Sequence, residues 1–167
     1  YQLLWNAFGG SGYDLACAQH DMPIVYSLKN KQPIVQVVPF DPPFKDSLFF
    51  VYLNQKQSSK QAIASYRQQS FDMNQLILEI NGITEQMIRC DSLVDFEELI
   101  ETHEALLSKT LDLKPVKSKL FPDYPGAIKS LGAWGGDFVL ATSMTNPSSY
   151  FQKKGYGTLM GFDDIVF

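Results

Sequence analysis

The sequence has no long apolar run. Its most hydrophobic stretch, "LFFVYL" at 48–53, falls far short of the ~20 apolar residues a membrane-crossing helix needs. It has no basic stripe either. Fourteen Lys and Arg are scattered among eighteen Asp and Glu for a net charge of -4, which removes the electrostatic footprint of a nucleic-acid binder. Cys17 and Cys90 are the only cysteines and form no CxxC, so reduced thiols are expected rather than a disulfide or a metal site. A signal-peptide pattern is also absent, and with the cysteines this points to a cytoplasmic setting. Of the two histidines, His20 follows a helix exit and His103 sits on an apolar stripe. Neither has a second ligand at metal-binding spacing, so both read as structural. No internal repeat or low-complexity tract occurs. The opening "YQLLWNAFGG" lacks an initiator methionine and enters mid-pattern, which leads us to expect a chain that begins inside a longer protein.

What is present describes a core-forming chain: 167 residues, 45% hydrophobic, enough for one domain or for one domain plus a piece of another. "YDLACAQ" (13–19) predicts a short helix with Ser11 or Asp14 near its start. "IVYSLK" (24–29) and "PIVQVV" (33–38) are rich in β-branched residues around the turn-like "NKQ" and predict a hairpin. The segment "PFDPPFKDS" (39–47) reads as a connector, and "LFFVYLN" (48–54) as a buried strand. Three helices are expected next. "KQAIASYRQQ" is capped by Ser58 or Ser59. The helix after Asp72 carries Met73, Leu76, Ile77, Ile80, Ile83, Met87 and Ile88 at helical spacing. The helix after Asp91 or Ser92 carries Leu93, Phe96, Leu99, Ile100, His103, Leu106 and Leu107 on one stripe. Gly82 inside the second of these predicts a tight helix contact or a break. Glu97, Glu98, Glu101 and Glu104 read mainly as a solvated face. Strands return at 127–133, 137–143 and within 156–167, with a short helix in "NPSSYFQKKG" ended by Gly155. This order implies an α+β architecture with helices on one face of an antiparallel sheet.

Two glycine-rich loops could carry chemistry. In "GGSGYD" (9–14) glycines permit positive φ and close approach of backbone to a ligand, and a following helix start favours anions. Asp14 there is either a helix cap or a functional acid or base. Tyr13 either lines a pocket beside it or packs its ring. The second loop, "GAWGGD" (132–137), is either a plain hairpin turn or part of a site. Lys129 either reaches a phosphate from its strand end or is a surface lysine.

"SGYDLACAQHDMPIVY" resembles the S-G-x-D-x-A segment of the GHMP small-molecule kinases, in its GYDIA-type variant with Leu15 for isoleucine. "GAIKSLGAWGGDFVLA" resembles the third motif of that family, and "LFFVYLNQKQSSKQAIASYR" its strand–loop–helix segment. The three stand in the family's order and cover most of the chain. The resemblance implies the end of an S5-like N-terminal domain (1–43) followed by a ferredoxin-like C-terminal domain (44–167). It implies ATP-dependent phosphoryl transfer, with Mg²⁺, to a small-molecule acceptor, mevalonate kinase-like in the wording of S-G-x-D. Asp14 matches the family's catalytic aspartate. Ser11 and Gly12 match the turn that presents it, with Tyr13 beside them as a further candidate for substrate or phosphate binding. Gly132, Ala133, Gly135 and Gly136 match the third-motif loop beside phosphates and acceptor, with Lys129 near it. The family's nucleotide loop, P-x-x-x-G-L-G-S-S-A, and its N-terminal lysine are not in this sequence. They are expected upstream of Tyr1, so the N-terminal portion of the same protein is an implied partner and the chain alone is expected to be inactive. A homodimer is left open, whereas nucleic acid and membrane are not implied. Leu131, Trp134 and Asp137 depart from the third motif, and Asp21-Met22 stands where a glycine pair is usual. These departures motivate the alternative of a non-catalytic ligand-binding or regulatory protein on the same fold.

Overall fold

The computed structural model describes residues 11–30, 32–55, 71–132 and 136–166. By contacts the chain divides into two units, 1–41 with 163–167, and 42–162.

In the first unit, α1 (Tyr13–Cys17) precedes the strands β1 (Ile24–Lys29) and β2 (Gln32–Val37). The strands pair antiparallel from Ile24 opposite Val37 to Lys29 opposite Gln32, which is the hairpin that the β-branched runs predict. Asn30 opens the turn at φ 52°, in the left-handed region that asparagine tolerates better than most residues.

The second unit holds β3 (Leu48–Tyr52), α2 (Met73–Arg89), α3 (Leu93–Leu111), α4 (Val116–Leu120), β4 (Ile128–Ser130), β5 (Phe138–Thr142), α5 (Ser148–Lys153) and β6 (Leu159–Gly161). The four strands form one antiparallel sheet in the order β4-β5-β3-β6. The first strand of the unit lies between the third and the fourth, which is the ferredoxin-like arrangement. The expected helix "KQAIASYRQQ" lies outside the described residues.

The two long helices start as their caps dictate. The Asp72 carboxylate accepts from the backbone N–H groups of Asn74 and Gln75 at 3.0 and 3.1 Å. Ser92 Oγ accepts from Asp95 N at 3.4 Å. Each bond satisfies a donor that the first helical turn leaves without a partner. Their buried faces are narrower than the periodicity suggests. In α2 only Leu76 and Ile83 are buried, while Met73 and Ile77 stay exposed. In α3 the inward line is Phe96, Ile100 and Glu104, at i, i+4 and i+8. Phe96 meets Phe44 with ring centroids 5.0 Å apart.

Val51, Leu53, Ile128, Val139 and Ala141 build one apolar face of the sheet, closed by Val116, Phe121, Tyr124 and Phe151 from the segments around α4 and α5. Phe121 stands edge-on to Phe151 at 5.2 Å and to Tyr156 at 5.3 Å, the arrangement aromatic quadrupoles prefer. The expectation of one covered face is corrected at β5. Val139, Leu140, Ala141 and Thr142 are buried in succession, so both sides of that strand are covered. α5 ends as expected, with Gly155 at φ 90° just past it. The last strand spans three residues and gives way to a 3₁₀ turn at Phe162–Asp164.

Gly82 corrects another expectation. α2 runs unbroken through it, and an added Cβ would meet nothing within 4 Å. Neither a break nor a close contact requires glycine there. Gly82→Ala should therefore stabilise the protein by about 0.4–1 kcal/mol through helix propensity and a less flexible unfolded chain. A raised midpoint in urea unfolding checks this, and a lowered one would mean that the helix needs its glycine.

Candidate functional site

The first group of candidate residues surrounds the start of α1. Gly12 is its N-cap, at φ 79° and ψ 5°, a left-handed conformation that costs a side-chain-bearing residue energy. Glycine is therefore the residue this turn calls for. Ser11 Oγ accepts from Tyr13 N at 3.3 Å, and the Ser11 carbonyl accepts from the Tyr26 hydroxyl at 2.5 Å. The turn is thus tied to β1. Asp14 lies in the first turn of α1, not at the cap, and no side-chain cap hydrogen bond forms. Its side chain is exposed. Ser11 and Asp14 both lie near the start of α1, as expected, and of the two readings of Asp14 the helix cap is not the one observed.

Tyr13 packs edge-on against Tyr26 at 5.8 Å. A side-chain hydrogen bond with Cys17, one turn along, and partial burial push its phenol up to about 12. His20 closes the far end of the segment, its Nδ1 2.7 Å from the Ala16 carbonyl, a structural role. α1 is only five residues long, so its dipole adds little to anion binding. What this part of the chain offers is one accessible carboxylate on a turn of fixed shape.

The second group lies in the other unit, where β4 meets β5. Gly132 adopts φ 64°, with nothing within 4 Å of an added Cβ. Backbone conformation, rather than crowding, favours glycine there. Leu131 N bonds to the Phe138 carbonyl at 3.2 Å and closes the loop base. Gly136 is buried and Asp137 is exposed. Ala133 and Gly135, together with Trp134, lie outside the described residues.

Lys129 is not presented by this loop. Its ammonium sits 3.3 Å from His103 Nδ1 and 3.9 Å from Glu104 Oε1, both on α3. Burial pushes it below the ordinary lysine value while Glu104 pulls the other way. It is neither a free phosphate arm nor a surface lysine.

Two features were missed at the sequence level. Tyr52 at the end of β3 with Leu53, Asn54 and Gln55 just past it, and Gly155, Tyr156, Gly157 and Thr158 ahead of β6, line a recess of about 420 Å³. Leu53 N bonds to the Asp137 carbonyl at 2.7 Å, so the recess and the glycine loop share one end of the sheet. Its lining is uncharged and polar. The only early sign was the glycine spacing in "GYG".

The other feature is a pair of carboxylates. Glu97 accepts from the Thr142 hydroxyl, and Glu104 from Ser130 Oγ at 2.8 Å. Two of the four glutamates read as a solvated face are therefore bonded to the sheet. By contrast, a groove of about 700 Å³ between α2 and α3 is lined by Glu85, Asp91, Asp95 and Glu98 with Arg89, a lining that repels phosphate.

At the opposite end of the sheet, where Thr142 pairs with Leu48, Tyr124 donates to the Thr142 carbonyl at 2.8 Å. Burial pushes its phenol up to about 12. Because the folded value is raised above the unfolded value of about 10, Tyr124 contributes stability below pH 10 that is lost as pH climbs through 12. The stability gap between wild type and Tyr124→Phe should narrow between pH 10 and 12 in urea titrations. A constant gap would show that the phenol ionises alike in both states.

Taken together, the architecture is a GHMP kinase-like α+β fold. The solved L. major mevalonate kinase in complex with R-mevalonate superposes with a TM-score of 0.60 at 18% identity, covering 87% of this chain and 48% of that one. A Lin0012 protein from Listeria innocua superposes at 0.56 and 17% identity, covering 77% and 43%. The chain thus spans less than half the length of the structures it resembles. No family model and no curated protein matches the sequence. Among the described residues, no helix is long and apolar enough to cross a membrane.

Proposed function

We propose that the full-length protein is a small-molecule kinase that transfers the γ-phosphate of ATP to a hydroxyl or phosphate of a small metabolite. Mevalonate or a close relative is the first acceptor to test. The observation that carries this reading is the placement of Asp14: an exposed carboxylate, free of capping duty, on a turn whose glycine holds a left-handed conformation. The likeness in fold to an enzyme solved with R-mevalonate supports it.

Phosphoryl transfer asks a protein mainly for positioning and charge stabilisation. In this reading Asp14 orients the acceptor hydroxyl and takes its proton; the resemblance gives the backbone at Gly132 and Gly136 a phosphate-facing role within its own unit. Among the described residues no group of three or more His, Cys, Asp or Glu could hold a metal. Mg²⁺ would enter bound to the nucleotide, since this ion keeps its waters and takes one or two carboxylates plus phosphate oxygens. The ion's part is to neutralise charge on the transferred group. The unpaired thiols of Cys17 and Cys90 suit a cytoplasmic setting.

Asp137 motivates a second reading. An exposed carboxylate next to Gly136 would repel phosphate, which suits a binder that keeps the fold without turnover. Full-length protein incubated with MgATP and a panel of small alcohols and phosphoesters separates the two. ADP release with mevalonate or a relative supports the kinase. Ligand-induced stabilisation with no ADP release from any of them supports the binder.

A further inference from the structure

β4 is three residues long and lies at the edge of its sheet, with β5 as its single neighbour. Such a strand has few ladder bonds to hold it, yet it delivers the chain into the left-handed turn at Gly132. The Glu104 side chain, 5% exposed, supplies the missing hold. Its Oε2 accepts from Ser130 Oγ at 2.8 Å, and its Oε1 faces Lys129 Nζ at 3.9 Å and His103 Nδ1 at 3.6 Å.

Lys129 and Ser130 are consecutive strand residues, so their side chains leave opposite faces of the sheet. One carboxylate therefore grips β4 around its free edge from both sides. That grip resists both sliding along β5 and rotation about the strand axis. Lys129 Nζ, which can only donate, also bonds to His103 Nδ1 at 3.3 Å and to the Ser130 carbonyl at 3.4 Å. The ammonium thus pins the backbone two residues ahead of Gly132. A buried carboxylate and a half-buried ammonium are costly unless paired, and here each lies against the other.

We propose that Glu104 is a positioning residue: through Ser130 and Lys129 it clamps β4 and holds the Gly132 turn in shape. The consequence for catalysis rests on the phosphoryl-transfer reading, whereas the clamp itself does not.

Amide hydrogen exchange on the full-length protein tests the clamp, comparing wild type with Glu104→Gln, Ser130→Ala and the exposed control Glu101→Gln. Glutamine keeps the shape of Glu104 but leaves the Lys129 ammonium without its counter-charge. Exchange at Leu131, Gly132 and Gly136 should accelerate by roughly tenfold or more, with β3 unchanged. Ser130→Ala removes a single hydroxyl, so it stays informative if Glu104→Gln does not fold, and it should accelerate the same amides by a smaller factor. Unchanged exchange at these amides in Ser130→Ala, or acceleration spread evenly over the chain, overturns the clamp.

In the full-length protein, Glu104→Gln should lower kcat by about tenfold or more while KM for ATP moves less. Unchanged kcat alongside faster exchange removes Glu104 from catalysis. An inactive wild type sinks the kinase reading, and the exchange result then decides the clamp by itself.

Discussion

Asp14→Asn in the full-length protein should leave the fold intact and lower kcat by roughly two to four decades, the usual scale for losing a general base. The substitution isolates charge and basicity. Asparagine has nearly the shape of aspartate, and the site places no steric demand on it because the side chain is exposed. A capping role would be kept as well, since asparagine caps helices about as well as aspartate. The structure narrows the matter further, because the N-cap of α1 is Gly12 and no side-chain cap bond is formed. The stability at risk is the attraction between a first-turn carboxylate and the helix dipole, about 0.3–1 kcal/mol at an exposed site and least for so short a helix. Circular dichroism and the unfolding midpoint should thus scarcely move while turnover collapses. Wild-type turnover in a well-folded Asn variant would return Asp14 to being an ordinary helix residue.

Local signals were legible wherever they were self-contained. The hairpin followed from two β-branched runs about a short turn, and the long helices from Asp72 and Ser92 placed directly before apolar periodicity. Signals that depend on a distant partner were not legible. Glu97 and Glu104 look like any solvated helix face until Thr142 and Ser130, far along the chain, are brought beneath them. α4 was missed because Val116–Leu120 is too short to show a period, and it is held by tertiary burial of Val116 and Phe121 rather than by propensity. Lys129 was open to two readings because strand alternation gives its direction but not what lies there. Of the candidate site, the glycine conformations at 12 and 132 agree with the turns read from the sequence. Ala133 and Gly135 lie outside the described residues.

The largest expected stability effect belongs to Gly126, which opens the segment "GAIKSLGAWGGDFVLA" but was given no role there. Gly126→Ala should destabilise the unit formed by 42–162 by about 2–5 kcal/mol. A Cβ built on Gly126 would lie 2.0 Å from the Thr142 carbonyl oxygen and 2.9 Å from its Oγ1. Both neighbours are fixed. The carbonyl accepts from the Tyr124 hydroxyl at 2.8 Å. The Thr142 hydroxyl accepts from Ala127 N at 2.8 Å and donates to Glu97, and Thr142 N bonds to the Ala127 carbonyl at 3.0 Å. Thr142 is wholly buried, so it has no solvent-facing direction in which to retreat. Relieving the overlap requires moving backbone by more than an ångström, against an overpacking cost of about 1–3 kcal/mol. It also requires giving up one or two of these bonds at about 1 kcal/mol each, more where a buried group is left unsatisfied. Thermal unfolding should show a midpoint lower by on the order of 10 °C. The Gly82→Ala change, the same methyl added in open space, serves as the control. A Gly126→Ala midpoint equal to wild type would mean that the Thr142 node yields, and that β5 is held less firmly than its hydrogen bonds imply.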